Sequence, residues 1–218
     1  CRFYRTLLTY ENVQIKIPDY YDFEHQGVCL EFSSQGLDYF TEYLRSYSLT
    51  LKEWCQAFRS YCFKGYTLNV ARLDYAMDDI CRNGETPVLT VRKVDTALLK
   101  GDYRSRSRVN DSDDSPIRKR KRNKKMKGKV IRGRTIEIGS RQSECMCRVY
   151  DKLAESIQKG RTLPASVTDW TRCEFEFHDS AAIGVFNSFL DMPEDCFNKH
   201  MLGVCNGRLC FISLTDSN

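Results

Sequence analysis

Charged and apolar side chains alternate strictly over residues 171–177 of this chain. Arg172, Glu174 and Glu176 occupy the even positions, and a threonine, a cysteine and two phenylalanines occupy the odd ones. Because successive side chains of a strand point to opposite faces, such a segment has one polar face and one apolar face. The pattern therefore predicts a sheet that buries one face in a core and leaves the other face polar.

Two further segments show the same period of two. The residues that share a predicted polar face are Arg72, Asp74 and Asp78 in the first segment and Arg148, Tyr150 and Lys152 in the second. If the three segments lie in one sheet, their polar faces form a single cleft that holds both acids and cations. An ordinary solvated face of an antiparallel sheet is the alternative, with Glu174 and Glu176 paired to Arg72 or Lys152.

The rest of the sequence predicts a mixture of strands and helices. We expect strands within residues 2–32, 68–78, 135–138 and 209–214, and helices near residues 37–47, 50–61, 153–159, 180–190 and 194–204. Thr50 and Glu53 have capping-box spacing, and residues 88–94 fit either a strand or a short helix. The loops are too short for repeated βαβ crossovers. We therefore predict an α+β fold with a mainly antiparallel central β-sheet and flanking helices, in a single catalytic domain of residues 1–218.

Positive charge is concentrated in residues 118–134, which hold eleven of the 34 lysines and arginines and no acid. The remaining 23 cations face 29 acids, so the rest of the chain is mildly acidic. A block of like charges repels itself, which predicts a flexible basic loop at about residues 104–130. Its natural partner is the phosphate backbone of DNA, although a solubilising loop or a nuclear localisation signal has the same composition. The candidate DNA-binding cations of this loop are Arg118, Lys119, Arg120, Lys121, Arg122, Lys124, Lys125, Lys127 and Lys129.

The composition argues against several other classes of protein. No apolar run approaches the ~18 residues that span a bilayer, so we expect no membrane partner. The eleven cysteines are irregularly spaced, which favours reduced thiols in a cytoplasmic protein. The sequence has no phosphate-binding glycine loop and no pair of histidines separated by one residue. The first residue is Cys1 rather than methionine, and we therefore expect a fragment of a longer protein.

The candidate chemistry centres on Tyr150. A phenol with a cation on each side has a stabilised phenolate, and the same cations can hold a phosphate, as a tyrosine nucleophile requires. Carboxylates on neighbouring strands suit a hard cation such as Mg²⁺ or Mn²⁺, which can polarise a phosphodiester. His178 continues the polar face of residues 172–176 and is either a further ligand or an ordinary strand-end histidine. A DNA-binding module without catalysis and a nuclease that uses water as nucleophile remain alternatives.

Four short motifs follow one another along the chain, residues 72–79 (RLDYAMDD), 139–143 (GSRQS), 148–152 (RVYDK) and 172–176 (RCEFE), and residues 31–36 (EFSSQG) precede them. The four motifs occur in the order seen in the Rep_trans family of rolling-circle plasmid replication initiators, and residues 31–36 resemble that family's short segment ahead of its first helix. Each motif is short, but their order and spacing together make the chain resemble this family from about residue 28 to residue 212. Two features depart from the family pattern: the basic segment is longer and denser than expected, and the chain stops soon after the last motif. Origin specificity is therefore expected to depend on a further segment.

The resemblance implies a relaxase-like nickase of a plasmid, phage or conjugative element in the bacterial cytoplasm. Such proteins bind a cruciform-forming origin, attack one strand with a tyrosine and remain linked to the 5′ phosphate. They use Mg²⁺ or Mn²⁺, act as homodimers and recruit a host helicase. The roles implied are Tyr150 as the nucleophile; Arg148 and Lys152 as catalytic phosphate clamps; Asp74, Asp78, Glu174 and Glu176 as metal ligands; and Arg72, Arg141 and Arg172 as DNA-binding residues.

Overall fold

The computed structural model describes residues 4–19, 27–62, 67–105, 135–140 and 142–211. Within these residues the chain forms nine strands and six helices. The strands are β1 (Tyr4–Tyr10), β2 (Val13–Pro18), β3 (Cys29–Phe32), β4 (Arg72–Arg82), β5 (Tyr103–Ser105), β6 (Thr135–Ile138), β7 (Cys145–Asp151), β8 (Val167–His178) and β9 (Leu209–Phe211). The helices are α1 (Ser34–Arg45), α2 (Leu51–Cys62), α3 (Val91–Lys100), α4 (Lys152–Gln158), α5 (Asp179–Asp191) and α6 (Glu194–Arg208).

The chain divides into two compact units, Cys1–Leu68 and Asn69–Asn218. The first unit has a sheet and an aromatic cluster of its own. Strands β1, β2 and β3 form an antiparallel sheet, and α1 contacts β2 and β3. Phe32, Phe40 and Trp54 pack their rings together within this unit.

Helix start signals explain two elements of the first unit. Ser33 caps α1, since its side chain accepts a hydrogen bond from the Gly36 backbone N–H over 3.1 Å. Gly36 lies so close to the Asn12 carbonyl that an added Cβ would sit 2.3 Å from its oxygen, and only glycine fits there. The capping box predicted before α2 is confirmed, because Thr50 Oγ1 accepts from the Glu53 N–H over 3.1 Å and the Glu53 carboxylate accepts in return.

The second unit is built on a four-stranded antiparallel sheet with strand order β4-β8-β7-β6. The three segments with alternating charge are therefore neighbours, which confirms the α+β fold with an antiparallel sheet. Leu73, Phe175, Phe177, Cys147 and Val149 lie on one face of this sheet. Helices α3, α5 and α6 contribute buried residues to the same core, so they cover the apolar face.

Three elements differ in detail from the sequence-based expectations. The sequence of residues 88–94 fits either a strand or a short helix, and in the structure a helix, α3, begins at Val91. Residues Tyr103–Ser105, expected to begin the flexible loop, form strand β5 and pair with β9. Lys152, expected on a strand, is the first residue of α4, because the Asp151 carboxylate caps that helix by accepting from the Ala154 N–H over 2.7 Å. Among the described residues, no helix is long and apolar enough to cross a membrane.

Candidate active site

The polar face of the four-stranded sheet brings together the acids and cations that the sequence analysis selected. Strand register sets their order, since residues that pair across an antiparallel ladder point to the same side. Arg148 on β7 pairs with Glu174 on β8, and two residues further along β7 Tyr150 pairs with Arg172. On the far side of β8, Asp74 pairs with Glu176 and Asp78 pairs with Arg172. The pairings through Arg172 and Glu176 place all three charged strands in one continuous surface.

Arg148 lies at the centre of the acidic part of this surface. Its Nη2 contacts Glu174 Oε1 directly, lies 3.1 Å from Glu176 Oε2 and lies 4.0 Å from Asp74 Oδ2. Arg72 adds a second guanidinium, with Nη2 at 2.7 Å from Asp74 Oδ2 and 2.8 Å from Glu176 Oε2. Three carboxylates thus share two guanidiniums in a partly dehydrated cluster. We call these five side chains the Arg148 cluster.

Glu176 is the most deeply placed acid of the Arg148 cluster, with a side chain that is only 5% exposed. Burial of a carboxylate to this extent carries a large desolvation penalty unless groups of opposite charge lie next to it. Arg72 and Arg148 supply that compensation, and His178 Nε2 lies 3.0 Å from the second carboxylate oxygen. The neighbouring carboxylates in turn raise the pKa of Arg148, although burial alone would lower it. The guanidinium is therefore a permanent charge at this position.

Tyr150 donates its phenolic hydrogen bond to Glu174 Oε2 over 3.1 Å. Burial raises the pKa of Tyr150 well above its usual value, and the negative charge of Glu174 raises it further. Arg172 acts in the opposite direction, but its guanidinium is already engaged by Asp78. The expectation that flanking cations stabilise the phenolate is therefore wrong for this structure. The neutral phenol is the favoured form, because burial and the Glu174 carboxylate both oppose its ionisation.

Lys152 lies beside Tyr150 without being exposed to solvent. Its side chain is 5% exposed, its Nζ binds the Glu155 carboxylate, and the same Nζ lies 5.6 Å from the centre of the Tyr150 ring. Glu155 also binds Lys159 Nζ over 2.6 Å. Both lysines lower the pKa of Glu155 against the opposing effect of burial. The predicted phosphate clamp is thus a buried ion pair at the start of α4.

Asp78 lies apart from the Arg148 cluster. Its two carboxylate oxygens accept from Arg172 Nε over 2.7 Å and Arg172 Nη2 over 2.6 Å, and Trp170 Nε1 adds a third hydrogen bond over 2.8 Å. Burial would raise the pKa of Asp78, but these donors lower it overall. With both oxygens occupied by a guanidinium fork, Asp78 has the contacts of a salt bridge that holds Arg172 next to Tyr150.

The donor types on this face suit a divalent metal ion, but their arrangement does not hold one as it stands. Asp74, Glu174 and Glu176 provide hard oxygen ligands of the kind that Mg²⁺ and Mn²⁺ prefer. Within the described ranges, however, no three acidic, histidine or cysteine side chains are placed to bind a metal together. The reason is visible in the Arg148 cluster, where the three carboxylates converge on a guanidinium nitrogen.

Two groups of predicted DNA-binding residues lie outside the residues that the structure describes. The first is Arg141. The second is the basic segment, with Arg118, Lys119, Arg120, Lys121, Arg122, Lys124, Lys125, Lys127 and Lys129. Arg72 and Arg172 are described, and both are held by carboxylates of the polar face.

Sequence reasoning missed three contributors to this surface. Trp170 holds Asp78 and lies under the Arg172 guanidinium, 5.9 Å from ring centre to Cζ. Glu155 neutralises Lys152, and Asp151 ends the strand by capping α4. The capping role of Asp151 could have been predicted, because an aspartate just before a helical segment is a helix start signal. The contact of Trp170 with Asp78 joins two separate strands, and the pairing of Glu155 with Lys152 depends on α4 beginning at Lys152.

The fold that carries this polar face is similar to that of a protein of known structure. The solved rolling circle replication initiator protein from Geobacillus stearothermophilus has a similar fold. Its TM-score is 0.61 at 18% identity, with 95% of this chain and 68% of that chain covered. The chain belongs to the Rep_trans family of replication initiation factors, whose profile matches residues 68–218.

One curated relative is "Putative DNA relaxase NicK" of Bacillus subtilis (strain 168). It is 28% identical to this chain over 184 residues, which cover 83% of this chain and 46% of the relative. The chain therefore spans about half the length of the curated relative that it matches. The matched family region holds the whole four-stranded sheet and its polar face.

Proposed function

We propose that this protein nicks one strand of DNA at a replication origin and rejoins it, with Tyr150 as the nucleophile. The observation that carries the proposal is the hydrogen bond from the Tyr150 hydroxyl to Glu174, beside two arginines on the open face of the sheet. A hydroxyl nucleophile with a carboxylate acceptor in contact is the usual arrangement for covalent catalysis. Membership of a family of replication initiation factors supports DNA as the substrate.

The proposed reaction is a transesterification. The Tyr150 oxygen attacks the scissile phosphorus as its proton passes to Glu174 Oε2, and the bond from phosphorus to the 3′ oxygen breaks. The leaving 3′ oxygen takes up a proton and becomes a free hydroxyl, while the 5′ phosphate stays on Tyr150. The reverse attack by a 3′ hydroxyl rejoins the strand. Glu174 is assigned as proton acceptor because the raised pKa of Tyr150 leaves almost no phenolate at neutral pH.

Arg148 and Arg172 are the residues proposed to hold the scissile phosphate. Both lie beside Tyr150 on the open face, Arg172 directly opposite it and Arg148 two residues before it. Guanidinium groups bind phosphate oxygens in a two-pronged manner. The ammonium group of Lys152 is buried against Glu155 and lies over the Tyr150 ring. Lys152 is therefore proposed to act on Tyr150 through its positive charge.

Mg²⁺ or Mn²⁺ is proposed as the cofactor, to be held by Asp74, Glu174 and Glu176. When bound, it would stabilise the negative charge that develops on the phosphate. His178, which contacts Glu176, would orient that ligand. Asp78 is a weaker candidate, since its oxygens are committed to Arg172.

The partners proposed for the protein follow from the family resemblance. They are a single-stranded or cruciform origin, a second copy of this chain and a host helicase, in the bacterial cytoplasm. The basic loop is proposed to add sequence-independent contacts to phosphate groups. The chain spans about half the length of its curated relative. The activity of the whole protein is therefore also a proposal.

A covalent-adduct assay tests the proposed function. The protein is mixed with labelled single-stranded oligonucleotides from its replicon's origin, with and without Mn²⁺, and is separated under denaturing conditions. We expect label to migrate with the protein and Tyr150→Phe to abolish that band while DNA binding is retained. An adduct that persists in Tyr150→Phe overturns the assignment of the nucleophile.

A metal-dependent nuclease in which water attacks is the second candidate. The observation that favours it is the raised pKa of Tyr150, which makes the phenol a poor nucleophile unless Glu174 removes its proton. This nuclease would cleave the oligonucleotide without any protein-linked product. Cleavage by Tyr150→Phe at the wild-type rate would select it over the tyrosine nickase.

A further inference from the structure

Trp170 is a large aromatic side chain on the charged face of β8. Arg172, Glu174 and Glu176 follow it at every second position, so the four side chains point to the same side of the strand. Trp170 is partly exposed there, and it is not part of the buried core, which lies on the opposite face of the sheet. Packing in the core therefore does not explain an indole at this position.

The surroundings of Trp170 differ from those of the other tryptophan of the chain, Trp54. Trp54 packs against the rings of Phe40 and Phe58, with ring centres 4.9 Å and 5.3 Å away. In the part of the chain that the structure describes, no aromatic ring packs against Trp170. Its ring neighbour is Arg172, whose Cζ lies 5.9 Å from the ring centre, near the outer limit of a cation–π contact. The indole therefore has ring surface that no other aromatic side chain covers.

A hydrogen bond at its edge fixes the indole of Trp170. Nε1 donates to Asp78 Oδ1 over 2.8 Å, and the same carboxylate is held by Arg172 Nε over 2.7 Å and Arg172 Nη2 over 2.6 Å. This contact uses the N–H group and leaves the π-surface of the ring without a role. Because the ring is already held in place, a ligand that stacks on it would lose little affinity to the ordering of the side chain.

Strand register places this indole next to the proposed nucleophile. Tyr150 pairs with Arg172, so Trp170 and Glu174 are its two diagonal neighbours on β8 and lie on the same face. Diagonal neighbours in an antiparallel pair are about 7–8 Å apart, within reach of aromatic side chains. For attack, the phosphorus must come within about 3–3.5 Å of the phenolic oxygen. A nucleotide that adjoins the scissile phosphate therefore comes within reach of the indole.

We propose that the Trp170 indole stacks on a base of single-stranded DNA next to the scissile phosphate, and this inference rests on the proposed function. Every base has a π-face, so such a contact positions the strand without selecting a sequence. Arg172 is proposed to hold the scissile phosphate and lies against the same ring. The base and the phosphate would then be bound by adjacent side chains, with the phosphorus held at Tyr150.

Comparison of two oligonucleotides that differ only in their bases tests this contact without any cleavage step. A short oligothymidylate and an abasic oligonucleotide of equal length have the same phosphate charge, and their affinities are measured by fluorescence anisotropy. We expect the wild type to prefer the oligothymidylate. In Trp170→Ala the ratio of the two affinities should fall by at least about fivefold, the lower end for loss of one stacked base.

Two further variants make the result specific. Trp170→Phe keeps an aromatic ring and should retain the affinity ratio of the wild type within about threefold. Trp54→Phe should also retain the ratio, because Trp54 packs within the aromatic cluster of the first unit. Circular dichroism confirms that each variant is folded.

Trp54→Phe also leaves Trp170 as the only source of indole fluorescence, since the chain has two tryptophans. Stacking of a base on the indole should quench that emission with oligothymidylate and should leave it nearly unchanged with the abasic oligonucleotide. This measurement keeps the inference testable if Trp170→Ala does not fold.

The stacking contact is overturned if Trp170→Ala loses affinity for both oligonucleotides by the same factor, because that result would assign Trp170 a structural role beside Asp78 and Arg172. Loss of the ratio in Trp170→Phe as complete as in Trp170→Ala would assign the effect to the hydrogen bond with Asp78 and also overturn it. Equal quenching by the two oligonucleotides, or failure of the protein to bind either, has the same consequence.

The covalent adduct of Tyr150 tests the proposed function separately. An adduct together with an unchanged affinity ratio in Trp170→Ala would reject the stacking contact and retain the nickase. A lowered ratio in Trp170→Ala without an adduct in the wild type would retain the stacking contact and reject the tyrosine nickase.

Discussion

Tyr150 on β7 donates its phenolic hydrogen bond to Glu174 on β8, with 3.1 Å between the phenolic oxygen and Oε2. The two residues lie on neighbouring strands and on the same face, as diagonal neighbours, because Tyr150 pairs with Arg172 and Glu174 pairs with Arg148. Burial and the negative charge of Glu174 raise the pKa of Tyr150, and the same carboxylate is the acceptor proposed for the phenolic proton. Glu174 therefore links the raised pKa of Tyr150 to the proposed chemistry.

Glu174→Gln should slow strand cleavage by about 10²- to 10⁴-fold, the usual contribution of a positioned general base. Glutamine can still contact Tyr150 and Arg148, but it cannot accept a proton at neutral pH. Single-turnover cleavage of a labelled oligonucleotide measures the rate. Glu194→Gln, at the exposed start of α6, is the matched control and should cleave as the wild type does. A rate within threefold, or about 0.6 kcal/mol, of the wild type would remove Glu174 from the mechanism.

The raised pKa of Tyr150 predicts a specific dependence of stability on pH. An unfolded tyrosine loses its proton near pH ~10, whereas the folded Tyr150 keeps its proton to higher pH. The stability that the phenol contributes is therefore fully present below pH ~10 and is lost as the pH rises above that value.

Urea unfolding at a series of pH values measures this effect. The difference in the free energy of unfolding between the wild type and Tyr150→Phe should stay constant up to pH ~10 and then shift against the wild type. A difference that stays constant throughout the alkaline range would contradict a raised pKa of Tyr150.

Replacement of residues 118–129 by a neutral glycine–serine segment of equal length should weaken binding to single-stranded DNA and reduce its salt dependence. The slope of log K against log salt should fall by about 0.7 for each phosphate group that the protein no longer neutralises. The segment holds nine lysines and arginines, so the change should be well above the precision of a fluorescence titration. Unchanged affinity and slope would show that these cations do not touch DNA.

Phe177→Ala should lower the free energy of unfolding by about 3–5 kcal/mol, because it creates a cavity in the core. Phe177 is fully buried and packs beside Phe175 beneath the polar face. Leu99→Ala is the control, since Leu99 is 77% exposed on α3 and should change stability by less than about 0.5 kcal/mol. Chemical denaturation of both variants makes the comparison, and an equal loss of stability in the two would contradict the burial of Phe177 in the core.

Local patterns were sufficient to predict most of the elements and the composition of the polar face. Alternation of side chains over residues 171–177 is a property of the strand itself, and Thr50 with Glu53 defines a helix start through neighbours in the chain. The same reasoning placed Lys152 on a strand, whereas Lys152 is the first residue of α4 and the preceding Asp151 is a helix start signal. The division into two compact units depends on contacts between elements, which local patterns do not specify.

The sequence by itself determined that Arg148, Tyr150, Glu174 and Glu176 would lie on polar strand faces, because the period of a strand is local. Only the tertiary structure decided which of them touch. Register places Arg148 opposite Glu174 and Tyr150 opposite Arg172, and burial together with the Glu174 carboxylate raises the pKa of Tyr150. For this reason the phenol that two cations were expected to activate is instead a neutral donor to a carboxylate, and the arginine beside it is held among three acids.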